Sequence, residues 1–181
     1  MTRAIVVPPQ LSAAALDELK AWLGITTSRD DAELTTLLHA ALDLCEAFTG
    51  TKPLVSACEE RFAATADWHK LSANPVQAIT AVEAVGDDGT RTALPITDYA
   101  IDLDADGAGR VRILRPLETA HVVASYTAGL ATEWMLLPVG IRHGLIRFAA
   151  HEHRQRDSGS ASALPAAVAA LWRPWRRVRL V

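Results

Sequence analysis

Asp102-Leu-Asp-Ala-Asp-Gly is the first stretch whose residue types could do chemistry. Carboxylates at positions one, three and five with a glycine at six can wrap one hard cation, as a calcium loop does. The pattern then breaks, because position twelve is Ile113 where a bidentate Glu is required and the flanks have the character of strands. An acidic hairpin turn competes here with a metal-dependent enzyme built on Asp102, Asp104 and Asp106. His151-Glu-His153, with His143 two turns upstream, invites zinc, but helical ligand pairs sit three or four residues apart, so His151 and His153 face different ways. Cys45 falls on the apolar side of a helical pattern and Cys58 in a strand-like run, with no Cys-x-x-Cys, so both are expected as buried, reduced thiols. No nucleophile–base arrangement and no glycine-rich phosphate loop stands out. The sequence assigns no catalytic, cofactor-binding or metal-binding residue and predicts no enzyme.

The remaining chemistry-bearing cluster is at the C-terminus: Trp172, Arg173, Trp175, Arg176, Arg177, Val178, Arg179 and Leu180. Residues 138–181 hold eight Arg against Glu152 and Asp157, whereas residues 1–137 hold ten Lys/Arg against nineteen Asp/Glu. The chain is polarised, with a basic pole that also carries tryptophan. Trp and Arg are the types most enriched at binding hot spots, since each covers a large area and offers directed donors. That points to a segment covered by a partner. The competing explanation is that Trp172 and Val178 dock on the chain's own helices while the arginines stay solvated.

The elements that must position these residues follow from periodicity. Ser12 can cap a helix to about Leu23 with Gly24 as the stop; Ser28 and Asp31 form a capping pattern for a second helix that carries Leu34, Leu38, Leu42 and Cys45 to Gly50. From Thr51 to Gly129 the period shortens. Ile79–Gly86 and Thr90–Leu94 flank Asp87-Asp-Gly as a hairpin, Tyr99–Leu103 and Arg110–Leu114 form another, and His121–Tyr126 is a further strand. Pro138 opens a helix to about Arg156 and Asp157–Ser162 is a polar break. Leu164-Pro165 starts a short helix, Pro174 stops it, and an extended tail follows. The fold class expected is α+β: a helical bundle of about four helices with an inserted small antiparallel sheet. Its parts are an N-terminal helical part at 1–50, a β-rich insertion at 51–129, a C-terminal helical part at 130–172 and a docking tail at 173–181.

With 181 residues, half of them apolar, the chain can bury one sizeable core. A net charge of −3 argues against a whole-surface nucleic-acid binder. Ile5-Val-Val before Pro8-Pro9 is too short for a signal segment, and no window reaches the roughly 18 apolar residues of a membrane span, so no membrane partner is expected.

The ordered series of Leu19-Lys-Ala-Trp-Leu-Gly, Asp30-Asp-Ala-Glu-Leu, Asn74-Pro-Val, Asp98-Tyr, Tyr126-Thr-Ala-Gly, Leu137-Pro, His151-Glu-His-Arg, Leu164-Pro and Trp175-Arg-Arg-Val-Arg-Leu resembles the head–tail connector (adaptor) proteins of tailed bacteriophages and of phage-like gene transfer agents. The resemblance implies a non-enzymatic virion subunit without cofactors, at the head–tail junction of a particle assembled in the host bacterial cytoplasm. It implies a homo-oligomeric ring, typically of twelve copies, beneath the portal protein and above a head–tail stopper or tail-completion protein, with DNA passing through the channel without specific binding. It also assigns portal contact to Trp172–Val181. The alternative is a sequence-nonspecific DNA-binding accessory protein using Arg173, Arg176, Arg177 and Arg179.

Overall fold

Leu16 and Leu19 fall on the inner side of helix α1 (Ala13–Leu23), while helix α2 (Asp31–Thr49) buries Leu34, Leu38, Ala41, Leu42 and Cys45 at helical spacing. Both end on a left-handed glycine, Gly24 at φ 74° and Gly50 at φ 70°; the Gly50 amide donates to the Glu46 carbonyl at 2.8 Å. The computed structural model describes residues 2–155 and 164–177. The expected Ser28/Asp31 capping box does not form. Asp31 is the first helical residue and its carboxylate instead takes Lys20 Nζ at 2.7 Å, an ion pair that joins the last turn of α1 to the start of α2. Ser12 likewise caps α1 through its carbonyl, which accepts the Ala15 amide at 3.0 Å, and not through its hydroxyl.

Two compact units divide the chain: Met1–Pro9 with Val55–Gly129, and Gln10–Leu54 with Leu130–Val181. In the helical unit, α1 and α2 pack with α3 (Val139–Gln155) and α4 (Ala166–Trp172) around Leu19, Leu38, Cys45, Ile141, Leu145, Val168 and Trp172. Pro138 stands just before α3, as expected. The anticipated end at Arg156 and the break at 157–162 lie outside the described residues. A 3-10 turn, Trp134–Leu136, precedes α3 and puts Trp134 into the same core. No described helix is long and apolar enough to cross a membrane.

The other unit holds two antiparallel sheets. Strands β1 (Thr2–Val7), β2 (Ser56–Ala63), β4 (Val76–Val85), β5 (Arg91–Ala93) and β8 (His121–Ala128) are ordered β1-β2-β8-β4-β5. Strands β3 (His69–Lys70), β6 (Tyr99–Leu103) and β7 (Gly109–Ile113) are ordered β3-β7-β6. Alternation along β2 turns Cys58, Glu60 and Phe62 inward, where they join Val82, Val111, Ile113, Val122 and Tyr126. Both expected hairpins are present, with Gly86 and Thr90 closing the β4–β5 turn through a 2.9 Å backbone bond.

The expected segmentation shifts at its edges. Ile5-Val6-Val7, weighed in the sequence only as a secretion signal, lies in β1 and pairs with β2, so the first nine residues group with the sheets and not with the N-terminal helices. Short apolar strands carry no periodic mark of their own; β1 is defined by β2, whose paired residues run from Ala57 to Arg61.

Candidate functional site

The C-terminal segment is where sequence chemistry and structure meet. Trp172, at the end of α4, is completely buried, and its indole N–H donates to the Ile141 carbonyl at 3.3 Å. The ring lies over Gly144 of α3, so closely that an added Cβ there would come within 2.8 Å of Cδ1 and Cε2. Phe48 and Phe148 flank it at ring-centroid distances of 6.2 and 6.5 Å. One turn earlier, Gly140 leaves room beside the Leu171 carbonyl and Trp175 Nε1. The two glycines four apart let α4 and the following turn press against the α3 backbone. Gly140 and Gly144 form a small-x-x-x-small pair, the sequence signal for such close packing of a helix.

These facts split the eight predicted site residues. Trp172 leaves the partner-facing set, because a fully buried indole with its donor satisfied inside its own fold has no surface to offer. Arg173–Trp175 is a 3-10 turn where an extended tail was expected, since Pro174 supplies the fixed φ that such a turn accepts. Arg173 is exposed, Trp175 is half-buried against the helical core, and the exposed Arg176 guanidinium sits 5.6 Å from the Phe48 ring centroid. The Arg177 amide donates to the Thr49 carbonyl at 2.8 Å, tying the segment to the end of α2. Val178, Arg179 and Leu180 lie outside the described residues.

In the β unit the acidic turn behaves as a hairpin. Asp104 Oδ1 accepts the Ala108 amide at 2.7 Å, and Arg110 reaches Asp102 at 3.4 Å and Asp104 at 3.5 Å. The arginine thus already pairs with two of the three carboxylates. Among the described residues no group of three or more His, Cys, Asp or Glu could hold a metal ion. His143 meets the Trp22 ring edge-on at 5.3 Å, while His153 Nε2 has no hydrogen-bond partner among the described residues. Both cysteines are buried and neither is in a disulfide, and burial pushes the Cys45 thiol up to about 12, far from a reactive thiolate.

One polar cluster had no sequence signal. Glu60, only 1% exposed inside the sheet core, accepts from the Ser72 amide at 2.9 Å, the Ser72 hydroxyl at 2.6 Å and the Tyr126 hydroxyl at 3.1 Å, and lies 3.0 Å from His69 Nε2. His69 stacks on Phe62 at 4.0 Å. Burial alone would raise the Glu60 carboxyl; the hydrogen bonds from Ser72, His69 and Tyr126 outweigh it and hold the group below the ordinary carboxylate range. Burial, and then the Glu60 charge, push the Tyr126 phenol upward. Every oxygen is engaged by the fold, so the cluster is a buried polar clasp between β2, the segment after β3, and β8.

The fold and site therefore define an α+β protein with a C-terminal segment anchored on its own helices. Residues 13–85 match the model of the family described as Phage gp6-like head-tail connector protein. No curated protein matches the sequence. Among solved structures, the chain is similar along 100% of its length to chains of gene transfer agent particles, each covered to 98%. One is in the neck of an empty particle computed with C6 symmetry (26% identity, TM-score 0.83). Another is in the virion of a native particle (25%, 0.79), and a third in the neck of a native particle computed with C12 symmetry (26%, 0.79). The resemblance to head–tail connectors seen in the sequence is borne out.

Proposed function

We propose that this chain is a structural, non-enzymatic subunit of the head–tail junction of a phage or phage-like particle, built as a helical bundle carrying an inserted sheet. Twelve copies form a ring beneath the portal, extend the DNA channel and meet a stopper or tail-completion protein below; assembly takes place in the host cytoplasm. The observation that carries this is the full-length likeness to a chain in a particle neck computed with C12 symmetry. Portal contact falls to Arg173, Trp175, Arg176 and Arg177 together with Val178, Arg179 and Leu180, while Trp172 anchors the segment from inside. An anchored root and a basic outer face supply position and charge for a docking arm.

Co-assembly with the cognate portal, followed by particle imaging, tests this reading. The comparison is between the full chain, a chain ending at Arg177, and Arg173→Glu/Arg176→Glu. All three keep Trp172, so the helical core is retained. The full chain is expected to seat as a ring, and the other two to seat at least tenfold less. A full chain that never engages the portal, yet shifts duplex DNA at low salt, would replace the connector reading with the DNA-binding one.

A further inference from the structure

The helical unit is electrically two-sided. Residues 10–54 hold seven carboxylates against three cations, and residues 130–181 hold eight arginines against three carboxylates. The acidic part shows an outward face on α2, where Ala32, Glu33, Thr36, Ala40, Asp43 and Ala47 are all exposed and recur at three- and four-residue spacing. Apart from its two acids, that face carries only short side chains, so a second helix can come close to it.

The basic part shows a narrow ridge on α3. Within α3 only Val139, Arg147 and Arg154 are exposed, along one line that also passes the half-buried His143. The start of the ridge is apolar. Met135 is 59% exposed, Leu136 65% and Val139 73%, and the half-exposed Trp22 flanks them through its edge-on contact with His143. Three large apolar side chains more than half in water, within five residues of chain, are unusual on a surface that stays uncovered. The ridge is therefore apolar at one end and cationic at the other, and the α2 face offers small residues between carboxylates.

We propose that the α3 ridge of one copy, through Leu136, Val139, Arg147 and Arg154, packs against the α2 face of a second copy around Glu33 and Asp43. This rests on the ring reading above and assigns its neighbour contact. The charge complementarity selects a second copy as the occupant, because the basic ridge and the acidic face belong to the same chain. The contact is heterologous, so every copy uses both surfaces and the series closes only as a ring. Exposed ion pairs contribute little singly, so the charges act mainly by setting which faces meet, while the apolar end supplies burial.

The test uses two charge reversals on the full chain assembled with its portal: Glu33→Arg/Asp43→Arg, and Arg147→Glu/Arg154→Glu. All four sites are exposed, and unchanged thermal melting confirms that each variant folds. Each variant alone is expected to lose the closed ring, with at least a tenfold drop in assembled copies. A 1:1 mixture is expected to recover it, since a basic α2 face then meets an acidic α3 ridge and the reverse around an even-numbered ring. A chain carrying all four changes should recover as well. Reversals that assemble like the wild type, or folded variants whose mixture does not recover, overturn the face assignment and leave the ring standing. An α3 reversal that still forms rings but loses the portal or the tail-side component assigns the ridge to that component and also overturns the proposal. A wild-type chain that forms no ring with its portal overturns the ring reading itself.

Discussion

Glu60 shows how one side chain sets the acid limit of the β unit. Its carboxylate serves the Ser72 amide and hydroxyl, the Tyr126 hydroxyl and His69 at once, and its folded-state pKa lies below the unfolded one. The unfolded chain therefore takes up the proton first. Its contribution is complete above the ordinary carboxylate range and is lost as pH falls from that range toward the lower folded value. Urea melts from pH 7 to pH 3 should show wild-type stability dropping in that window, with a shallower acid limb for Glu60→Gln. At pH 7 the same variant should lose roughly 1–2 kcal/mol, the scale of a charge-assisted hydrogen bond made neutral. Gly144 decides between two opposing effects. Replacing a mid-helix glycine by alanine ordinarily stabilises by about 1 kcal/mol, but here the new Cβ meets the Trp172 ring at 2.8 Å or less, and overpacking costs about 1–3 kcal/mol. Gly144→Ala should therefore lower the melting temperature, whereas Ala170→Gly, at an exposed position on α4, should cost only about the helix-propensity difference of 1 kcal/mol.

At the scale of elements, the β6–β7 hairpin is a folded turn whose carboxylates already have partners. Asp104→Ala removes the acceptor of the Ala108 amide and one arm of the Arg110 pair, so thermal melting should fall by the equivalent of about 1 kcal/mol, equally with and without millimolar calcium. A calcium-dependent rise in the wild type, absent from the variant, would revive the cation loop. Long periodic helices and glycine-turned hairpins were legible in the sequence because their signals are local: Leu34, Leu38, Cys45 and Gly50 mark α2, and Asp87-Asp-Gly marks β4–β5. What stayed hidden depends on distant partners. β1 exists through β2, the Glu60 clasp draws on residues up to 66 positions away, and Trp172 looked like a docking residue because burial against Gly144 and Phe148 leaves no trace in its own neighbourhood. The Trp- and Arg-rich end stood out in the sequence, but its division into a buried Trp172 and an exposed basic face was not legible there.

Over the whole molecule, the charge pattern makes a quantitative statement about DNA. Among the described residues from 130 onward, four arginines, Arg147, Arg154, Arg173 and Arg176, are exposed, on a chain whose first 137 residues carry nineteen carboxylates against ten cations. If all four met phosphates, the affinity would fall with salt at a log–log slope of about −3.6, or about a hundredfold between 50 and 200 mM. Repulsion from the acidic remainder weakens it further. In the channel role proposed above, this balance would let DNA slide past without being held. Fluorescence anisotropy with a short duplex should thus show weak binding at 50 mM salt that disappears by 200 mM. Arg173→Ala/Arg176→Ala should leave ring assembly on α2 and α3 intact while lowering portal seating. Tight duplex binding that persists at 200 mM and is abolished by the same two substitutions would instead make the basic end a nucleic-acid arm. The two functions thus separate on one pair of residues: portal seating should be lost at every salt concentration at which wild-type DNA binding has already vanished.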